Sequence, residues 1–211
     1  MSNRNGNLFI ISAPSGAGKT SLVTAVVDSR RNVRVSVSHT TRLPRPEEKS
    51  GRNYFFISKQ KFKLMDEAGD FVEQANVFGN LYGTSREEIR RSINNGNDLI
   101  LEIDWQGAAK IRSSDQPILD IFILPPSIDS LQSRLTKRGQ DNRETINFRM
   151  SKALNEISHY EEFTYLIVND HFETALSEIQ DILDGKGERL LLEIQKERYK
   201  DLILELTTKK C

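Results

Sequence analysis

The sequence predicts an α/β fold in which a parallel sheet is flanked by helices. Short apolar runs alternate along the chain with segments whose apolar residues recur at helical spacing. Continuous apolar runs of this length are typical of strands buried on both faces. Strands that alternate with helices are joined by right-handed crossovers into a parallel sheet. The predicted strands cover residues 8–11, 33–37, 99–103, 119–124 and 165–168.

The helices are predicted between these strands and after the last one. The first follows residue 20, where Leu22, Val23, Val26 and Val27 form one apolar face. The others cover residues 106–112, 128–137 and 145–160, and the chain is helical and heavily charged from residue 173 onwards. The start of this stretch has a core-facing stripe, formed by Leu176, Ile179, Ile182 and Leu183. Its later part, rich in lysine, glutamate and arginine, is interpreted as a solvated surface helix, and a helix that binds a partner is the alternative.

Size, charge and cysteine content exclude several classes of protein. A chain of 211 residues suits one α/β domain with insertions. Its 30 basic and 30 acidic residues cancel, so no nucleic-acid partner is expected. No apolar run approaches the roughly 20 residues of a membrane helix, and the polar first seven residues do not resemble a signal peptide. With a single cysteine, the chain is expected in the cytoplasm. The oligomeric state is left open by the sequence, with a homo-oligomer among the alternatives.

A glycine-rich turn joins the first strand to the first helix. Its residues are Ala13, Pro14, Ser15, Gly16, Ala17, Gly18, Lys19 and Thr20. A strand, such a turn and a helix form the phosphate-binding P-loop, whose backbone N–H groups and helix dipole attract phosphate. Lys19 is expected to reach the β- and γ-phosphates, and the Thr20 hydroxyl to ligate Mg²⁺. The sequence therefore predicts a site for a nucleoside triphosphate.

One position departs from the usual P-loop pattern. Ala13 stands where the pattern has glycine, so a backbone conformation open to any residue is expected there. The alternative is a glycine-rich turn with no ligand. Lys19 and Thr20 favour the functional interpretation, because neither has a structural purpose directly after the last glycine.

A small lobe is predicted between two strands of the core. Residues 38–95 contain several prolines and glycines and only short strand-like pieces, at 54–57 and 71–75. The core is then formed by residues 1–37 and 96–211. Within the core, the polar segment 137–144 is flanked by helices and has a central glycine, Gly139. That composition indicates a short lid at about residues 137–149.

The predicted lobe is rich in groups that bind an anion. Arg42 and Arg45 flank Pro44, and guanidinium groups bind phosphate through two hydrogen bonds at once. Tyr54 and Tyr82 add hydroxyl donors, and the segment 38–42 is rich in short hydroxyl side chains. Taken singly, each arginine and tyrosine is more simply a surface residue. Their concentration in one insertion beside a P-loop core favours a phosphate site.

An acidic residue in an apolar strand indicates a binding site for a nucleobase. Glu73 lies in the predicted strand 71–75. A carboxylate accepts two N–H hydrogen bonds at once, and guanine is the base with adjacent N1–H and N2–H₂ donors. The alternative is that Glu73 faces solvent on the polar side of the strand.

Further charged residues are expected near the triphosphate. The strand 99–103 carries Glu102 and is followed by Asp104, a pattern that places carboxylates at the sheet edge beside a P-loop. Asp104 is expected to orient water on Mg²⁺ or hold an arginine, unless it only caps the next helix. Arg134, Arg138 and Arg149 frame the lid, where guanidinium groups stabilise a phosphoryl-transfer transition state. An ordinary charged helix face is the alternative for these arginines.

Several segments, taken in order, resemble the guanylate kinase family in its bacterial form. They are 12–20, 37–42 with 44–46, 51–56, 79–84, 102–107, 138–139 and 165–170, and the resemblance extends over roughly residues 6–190. It implies a P-loop NTPase core with an inserted small mixed α/β nucleotide-binding lobe and a short lid. It also implies Mg²⁺-dependent transfer of a phosphoryl group from ATP to GMP, giving ADP and GDP, in purine nucleotide metabolism.

The resemblance also implies residue roles. Arg42, Arg45, Tyr54 and Tyr82 hold the GMP phosphate, whereas Ser38, Glu73 and Thr84 read guanine, with Asp104. Lys19, Arg138 and Arg149 stabilise the transferred group. Two positions depart from the family pattern: Leu81 replaces a frequent second tyrosine, and Glu102 replaces a common aspartate.

Two other functions stay open at this point. One is a kinase of the same fold that acts on a different acceptor, and a panel of acceptors separates it. The other is a guanylate-kinase-like module that binds peptides or phosphoproteins. Such modules typically lose P-loop or lid residues, whereas Lys19, Thr20, Arg138 and Arg149 are all present here.

Overall fold

The computed structural model describes residues 5–77, 79–113, 117–137 and 143–208. Within these residues the chain forms a five-stranded sheet and a four-stranded sheet. The strands are β1 Leu8–Ser12, β2 Val33–Val35, β3 His39–Thr40, β4 Phe55–Phe56, β5 Phe71–Val77, β6 Asn80–Ser85, β7 Asp98–Glu102, β8 Ile118–Leu124 and β9 Tyr165–Val168. The α-helices are α1 Lys19–Ser29, α2 Lys59–Glu67, α3 Arg86–Asn94, α4 Trp105–Arg112, α5 Ile128–Lys137, α6 Arg143–Ile157, α7 Phe172–Leu183, α8 Leu192–Arg198 and α9 Lys200–Thr208.

The five-stranded sheet has the order β2-β7-β1-β8-β9. Its strands are the five that the apolar runs predict, so the predicted α/β class with a parallel sheet is confirmed. β2 pairs with β7 in parallel, with Val33 opposite Asp98, and β8 pairs with β9 in parallel, with Ile121 opposite Tyr165. All five residues of β1 are buried, as expected of a strand covered on both faces.

The four-stranded sheet is mixed and has the order β4-β3-β6-β5. β3 is parallel to β4 and antiparallel to β6. The long pair of β5 and β6 is antiparallel and brings Glu73 opposite Thr84. This sheet lies within residues 39–85, inside the segment where the sequence predicts a lobe.

By packing, the chain divides into two compact units. One consists of residues 1–9 and 32–118, and the other of residues 10–31 and 119–211. The first contains the whole four-stranded sheet. The second contains the turn between β1 and α1 and the helices α5 to α9. Each unit carries a separate part of the predicted site.

Two helices of the first unit were not located from the sequence, although the resemblance implies a mixed α/β lobe. α2 and α3 lie in the segment interpreted as strands and turns. Phe62 is the one buried residue in α2, and Ile89 is the one in α3, so neither helix has the apolar stripe on which the prediction depends. The signal that marks them is at their N-termini, where the hydroxyls of Ser58 and Ser85 accept backbone N–H groups of the first turn.

At the start of the C-terminal stretch, α7 buries Ile179, Ile182 and Leu183 of the predicted core-facing stripe. The later part is not wholly solvated, because α8 buries Leu192 and α9 buries Ile203 and Leu206. The described part of this stretch forms three α-helices. The first ends before Gly185, whose φ of 72° is in the left-handed region that favours glycine. Two shorter helices follow, α8 and α9. No helix among the described residues is long and apolar enough to cross a membrane.

Candidate active site

The turn between β1 and α1 has the backbone of a P-loop. Gly16 and Gly18 have φ values of 94° and 96°, which side-chain-bearing residues rarely adopt. Within the turn, the backbone N–H of Ala17 donates to the carbonyl of Pro14 over 3.1 Å. The helix begins directly afterwards, so Lys19 and Thr20 occupy its first turn. Strand, turn and helix therefore follow each other as the sequence predicts.

Two side chains brace this turn through the carbonyl of Ala17. The Asn169 amide donates to it over 2.7 Å, and the Arg134 guanidinium donates to it over 3.3 Å. The same guanidinium reaches the backbone carbonyl of Asn169, 3.2 Å away. Asn169 is only 5% exposed. The turn is thus held in shape by the residue that directly follows β9.

Close packing adds a steric requirement at the end of the turn. A Cβ atom on Gly18 would lie 2.4 Å from the amide nitrogen of Asn169. Glycine is therefore required both for its positive φ and for lack of space. The sequence pattern predicts a role for Arg134 but none for Asn169. The available signal was its place at the carboxyl end of a parallel strand, where ligands of such sheets bind.

A carboxylate also contacts the tip of the turn. The backbone N–H of Ser15 donates to Glu156 over 3.0 Å. Glu156 lies in α6, the helix that also carries half-buried Arg149. The predicted catalytic residue Arg138 and residues 139–142 of the predicted lid lie outside the described residues, whereas residues 143–149 belong to α6. No pattern in the sequence pointed to Glu156.

In the first unit, Arg42 is held by an ion pair. Its guanidinium donates to both oxygens of Glu48, over 2.7 and 2.9 Å. The two side chains are 18% and 15% exposed. The hydrogen bond from Arg42 lowers the pKa of the Glu48 carboxyl, and the bond to Glu48 raises the pKa of Arg42. Sequence reasoning missed Glu48, whose signal was only its position six residues after Arg42.

Aromatic rings surround this guanidinium. Its central carbon lies 5.5 Å from the centre of the Tyr54 ring and 5.7 Å from that of Phe56, within the range of a cation–π contact. The Tyr54 and Tyr82 rings meet edge to face with centres 5.8 Å apart. Arg45 is exposed, and its backbone N–H donates to Glu48 over 2.8 Å. The structure therefore brings together Arg42, Tyr54 and Tyr82, and joins Arg45 to them through Glu48.

A second cluster in the same unit surrounds the Glu73 carboxylate. Glu73 is 7% exposed, and the buried Thr84 hydroxyl donates to it over 2.6 Å. The Ser38 hydroxyl lies 3.5 Å from that of Thr84. Burial raises the pKa of the Glu73 carboxyl, and the charge of Asp104 raises it further. The three residues predicted to read a base therefore lie together, and the alternative of a solvent-facing Glu73 is wrong.

The space beside this carboxylate is kept open by a glycine. A Cβ atom on Gly107 would lie 3.3 Å from an oxygen of Glu73. Gly107 lies in the first turn of α4, which is capped by Asp104: its carboxylate accepts the backbone N–H of Gly107 over 2.9 Å. Asp104 therefore caps α4. Its charge nevertheless acts on Glu73.

Glu102 ends β7 and is half-buried. Among the described residues, no group of three or more His, Cys, Asp or Glu side chains is arranged to hold a metal ion. Both acidic residues predicted near Mg²⁺ belong to the first unit, whereas Thr20 belongs to the second.

Comparison with known proteins identifies the family. The sequence model of one family, described as "Guanylate kinase", matches residues 5–186. The chain belongs to the guanylate kinase family. A guanylate kinase of Pseudomonas fluorescens is 50% identical over 206 residues, which are 98% of this chain and 99% of that protein. A guanylate kinase of Hahella chejuensis is 52% identical over 92% of both chains.

A solved structure agrees with this assignment. The crystal structure of guanylate kinase from Anaplasma phagocytophilum superposes with a TM-score of 0.69 at 31% identity, covering 93% of this chain and 96% of that one. The resemblance to guanylate kinases noted in the sequence is therefore confirmed, as is the fold class that it implies.

Gly18→Ala is predicted to weaken binding of an ATP analogue by at least about tenfold, because it strains the backbone and displaces Asn169. Isothermal titration calorimetry measures this affinity. The matched control is Gly185→Ala, which has the same kind of positive φ but nothing within 4 Å of the added Cβ. The control is expected to lose some thermal stability and to keep its ATP affinity. Equal losses of affinity in both variants would contradict the bracing role of Asn169.

Glu73→Gln is predicted to stabilise the unliganded protein at neutral pH. The folded protein holds the pKa of Glu73 above its ordinary value of 4.5, so its contribution to stability is greatest below that value and is lost as the pH rises through the raised pKa. Glutamine still accepts the Thr84 hydroxyl without carrying a buried charge. Melting temperatures measured against pH should therefore show the variant above the wild type at neutral pH and level with it in acid. A difference that does not change with pH would contradict a buried charge at Glu73.

Proposed function

We propose that this chain is a guanylate kinase in which the lobe formed by residues 38–95 selects GMP while the P-loop holds ATP. The activity is transfer of the γ-phosphoryl group of ATP to GMP, giving ADP and GDP. The observation that carries the residue assignment is the buried carboxylate of Glu73 beside the Thr84 and Ser38 hydroxyls. The reaction is assigned to the cytoplasm, with ATP and GMP as small-molecule partners.

Burial of Glu73 determines which base fits. A carboxylate removed from water is costly unless donors surround it, and the Thr84 hydroxyl supplies one donor. Guanine offers two more on adjacent atoms, N1–H and N2–H₂, which match the two carboxylate oxygens. Adenine has a bare N1 on this edge and would leave the charge unsatisfied. Ser38, Thr84 and Asp104 complete the base subsite, Asp104 through the helix that it caps.

The GMP phosphate is assigned to the cluster around Arg42. Arg42 and Arg45 supply guanidinium groups, and Tyr54 and Tyr82 supply hydroxyls. Glu48 holds the Arg42 fork over the two aromatic rings before substrate arrives. A preorganised arginine loses less conformational entropy when it binds phosphate. The ion pair is therefore a positioning contact for the phosphate subsite.

The ATP phosphates are assigned to the turn from Ala13 to Thr20, with Arg134 beside it. Lys19, Arg138, Arg149 and Arg45 are assigned to the charge that develops on the transferred group. Thr20 is assigned as the protein ligand of Mg²⁺, with Glu102 and Asp104 acting through water. Hydroxyl and carboxylate oxygens are the donors that Mg²⁺ prefers, and when bound the ion neutralises charge on the β- and γ-phosphates.

No general base is needed for this reaction. The attacking atom is a phosphate oxygen of GMP, which is already ionised at neutral pH. Catalysis then depends on aligning two anionic groups and offsetting their repulsion. Exclusion of water prevents hydrolysis of the transferred group, which is the role assigned to the lid.

Lys19→Met is predicted to lower kcat by about 10²–10³-fold, because it removes a positive charge from the transferred phosphoryl group. The rate is measured as ADP formation in a coupled assay, and circular dichroism checks that the fold survives. Lys63→Met is the matched control, since Lys63 is 77% exposed on α2. A Lys19→Met rate equal to that of the wild type would refute the assignment of the turn.

A panel of acceptors tests the function itself. ADP formation is measured with ATP, Mg²⁺ and each of GMP, AMP, CMP and UMP. Turnover with GMP alone supports the assignment of Glu73 and Ser38. Efficient turnover with another acceptor keeps the kinase and overturns the base subsite. Binding of GMP with no turnover of any acceptor favours a binding module instead of an enzyme.

A further inference from the structure

Glu88 links the helix that leaves the lobe to the segment that enters it. It lies in the first turn of α3, three residues after the N-cap Ser85. One carboxylate oxygen accepts the backbone N–H of Val37 over 2.8 Å, and the other accepts the hydroxyl of Ser36 over 3.1 Å. Residues 36 and 88 are far apart in the sequence, so this is a tertiary contact.

The sequence around Glu88 is that of a capping box. Serine at the N-cap with glutamate three residues later usually turns the glutamate back onto its own helix. Here the hydroxyl of Ser85 accepts the backbone N–H of Glu88 over 3.4 Å, while both carboxylate oxygens bind the segment 36–37. The acidic half of the box therefore holds a neighbouring segment in place.

The two segments that Glu88 joins lead directly into the base subsite. Ser38 follows Val37, and Thr84 precedes the N-cap Ser85. The backbone N–H of Ser36 donates to Ile100 of the core sheet over 2.9 Å, and the carbonyl of Ser38 accepts the N–H of Phe55 over 2.9 Å. Glu88 of α3 accepts the N–H of Val37 between them. The backbones of residues 36, 37 and 38 are therefore hydrogen-bonded to β7, α3 and β4, respectively.

We propose that Glu88 is a positioning residue for guanine recognition, which holds the Ser38 hydroxyl against Thr84 and Glu73 by binding the backbone of Val37. This inference rests on the proposed function of Ser38, Thr84 and Glu73. Glu88 itself touches neither the Glu73 carboxylate nor the reacting phosphates in this assignment. Its effect passes through the backbone and appears in the binding of GMP.

The electrostatic setting of Glu88 agrees with a structural clamp. Burial raises the pKa of its carboxyl, while the hydrogen bonds from Val37 and Ser36 and the charge of Arg91 lower it. Glutamine at this position keeps one acceptor for the Val37 N–H and removes the charge. Glu88→Gln is therefore the milder variant, and Glu88→Ala removes the clamp entirely.

The first test separates GMP binding from the rest of catalysis. Glu88→Ala is expected to raise KM for GMP about tenfold, the loss of a hydrogen bond to a charged group. KM for ATP and kcat should stay within about twofold of the wild type. The KM for GMP of Glu88→Gln should lie between that of the wild type and that of Glu88→Ala. The control is Glu87→Gln, since Glu87 is exposed and pairs with Arg90 on the same helix. Equal rises in KM for GMP and ATP would overturn the proposal.

The second test asks whether Glu88 acts through Ser38. In a Ser38→Ala background, Glu88→Ala is expected to change KM for GMP by less than about twofold, because the group that it positions is gone. If the double variant shows the product of the two single increases in KM for GMP, the proposal is overturned. If Glu88→Ala does not fold, the same comparison is made with Glu88→Gln. If the proposed function is wrong, the wild-type protein does not turn over GMP, and this result is distinct from any effect of Glu88.

Discussion

The assigned base subsite depends on one buried negative charge. Glu73 lies in a strand with little access to water, and burial holds its pKa above the ordinary value. The antiparallel pairing of β5 and β6 places Thr84 opposite Glu73, and the Thr84 hydroxyl donates to the carboxylate. A second acidic residue, Asp104, is occupied in capping α4. A charge placed in this way makes the unliganded lobe less stable. In the proposed assignment, a ligand with two adjacent donors satisfies this charge.

The turn assigned to ATP depends on side chains that hold its backbone in shape. There the buried amide of Asn169 and the guanidinium of Arg134 both bind the carbonyl of Ala17. A P-loop cradles phosphate with backbone N–H groups. The geometry of these groups therefore depends on the side chains that hold the turn, here Asn169 and Arg134. In the cluster assigned to the GMP phosphate, Glu48 similarly holds Arg42. Asn169 and Glu48 are not assigned to a substrate, and each fixes a group that is.

The sequence predicts the parts of the fold that leave a periodic signal. The five core strands appear as apolar runs, and the P-loop appears as a pattern of glycines with Lys19 and Thr20. The helices α2 and α3 do not, because each buries one apolar residue and therefore lacks an apolar stripe. Their serine N-caps were visible in the sequence, as was the capping box at Ser85.

In the candidate site, the residues assigned to substrates were predictable from the sequence, whereas the residues that hold them in place were not. Residues that would touch substrate have characteristic chemistry and fall in recognisable segments, as Glu73 and Arg42 do. Glu48, Glu88, Asn169 and Glu156 act on other protein groups, and their partners are set by tertiary structure. Glu88 and Val37 are distant in the sequence, and no local pattern relates them.

The most direct measurement is the GMP affinity of the wild type and of Glu73→Gln, compared across pH by titration calorimetry. Titration of the GMP phosphate is common to both proteins and cancels in the ratio of their affinities. The ratio is predicted to be close to one in acid, where Glu73 is protonated and resembles glutamine. It should rise in favour of the wild type as the pH passes the raised pKa of Glu73. A ratio that does not vary with pH would show that the ionised carboxylate does not bind guanine, and would contradict the account.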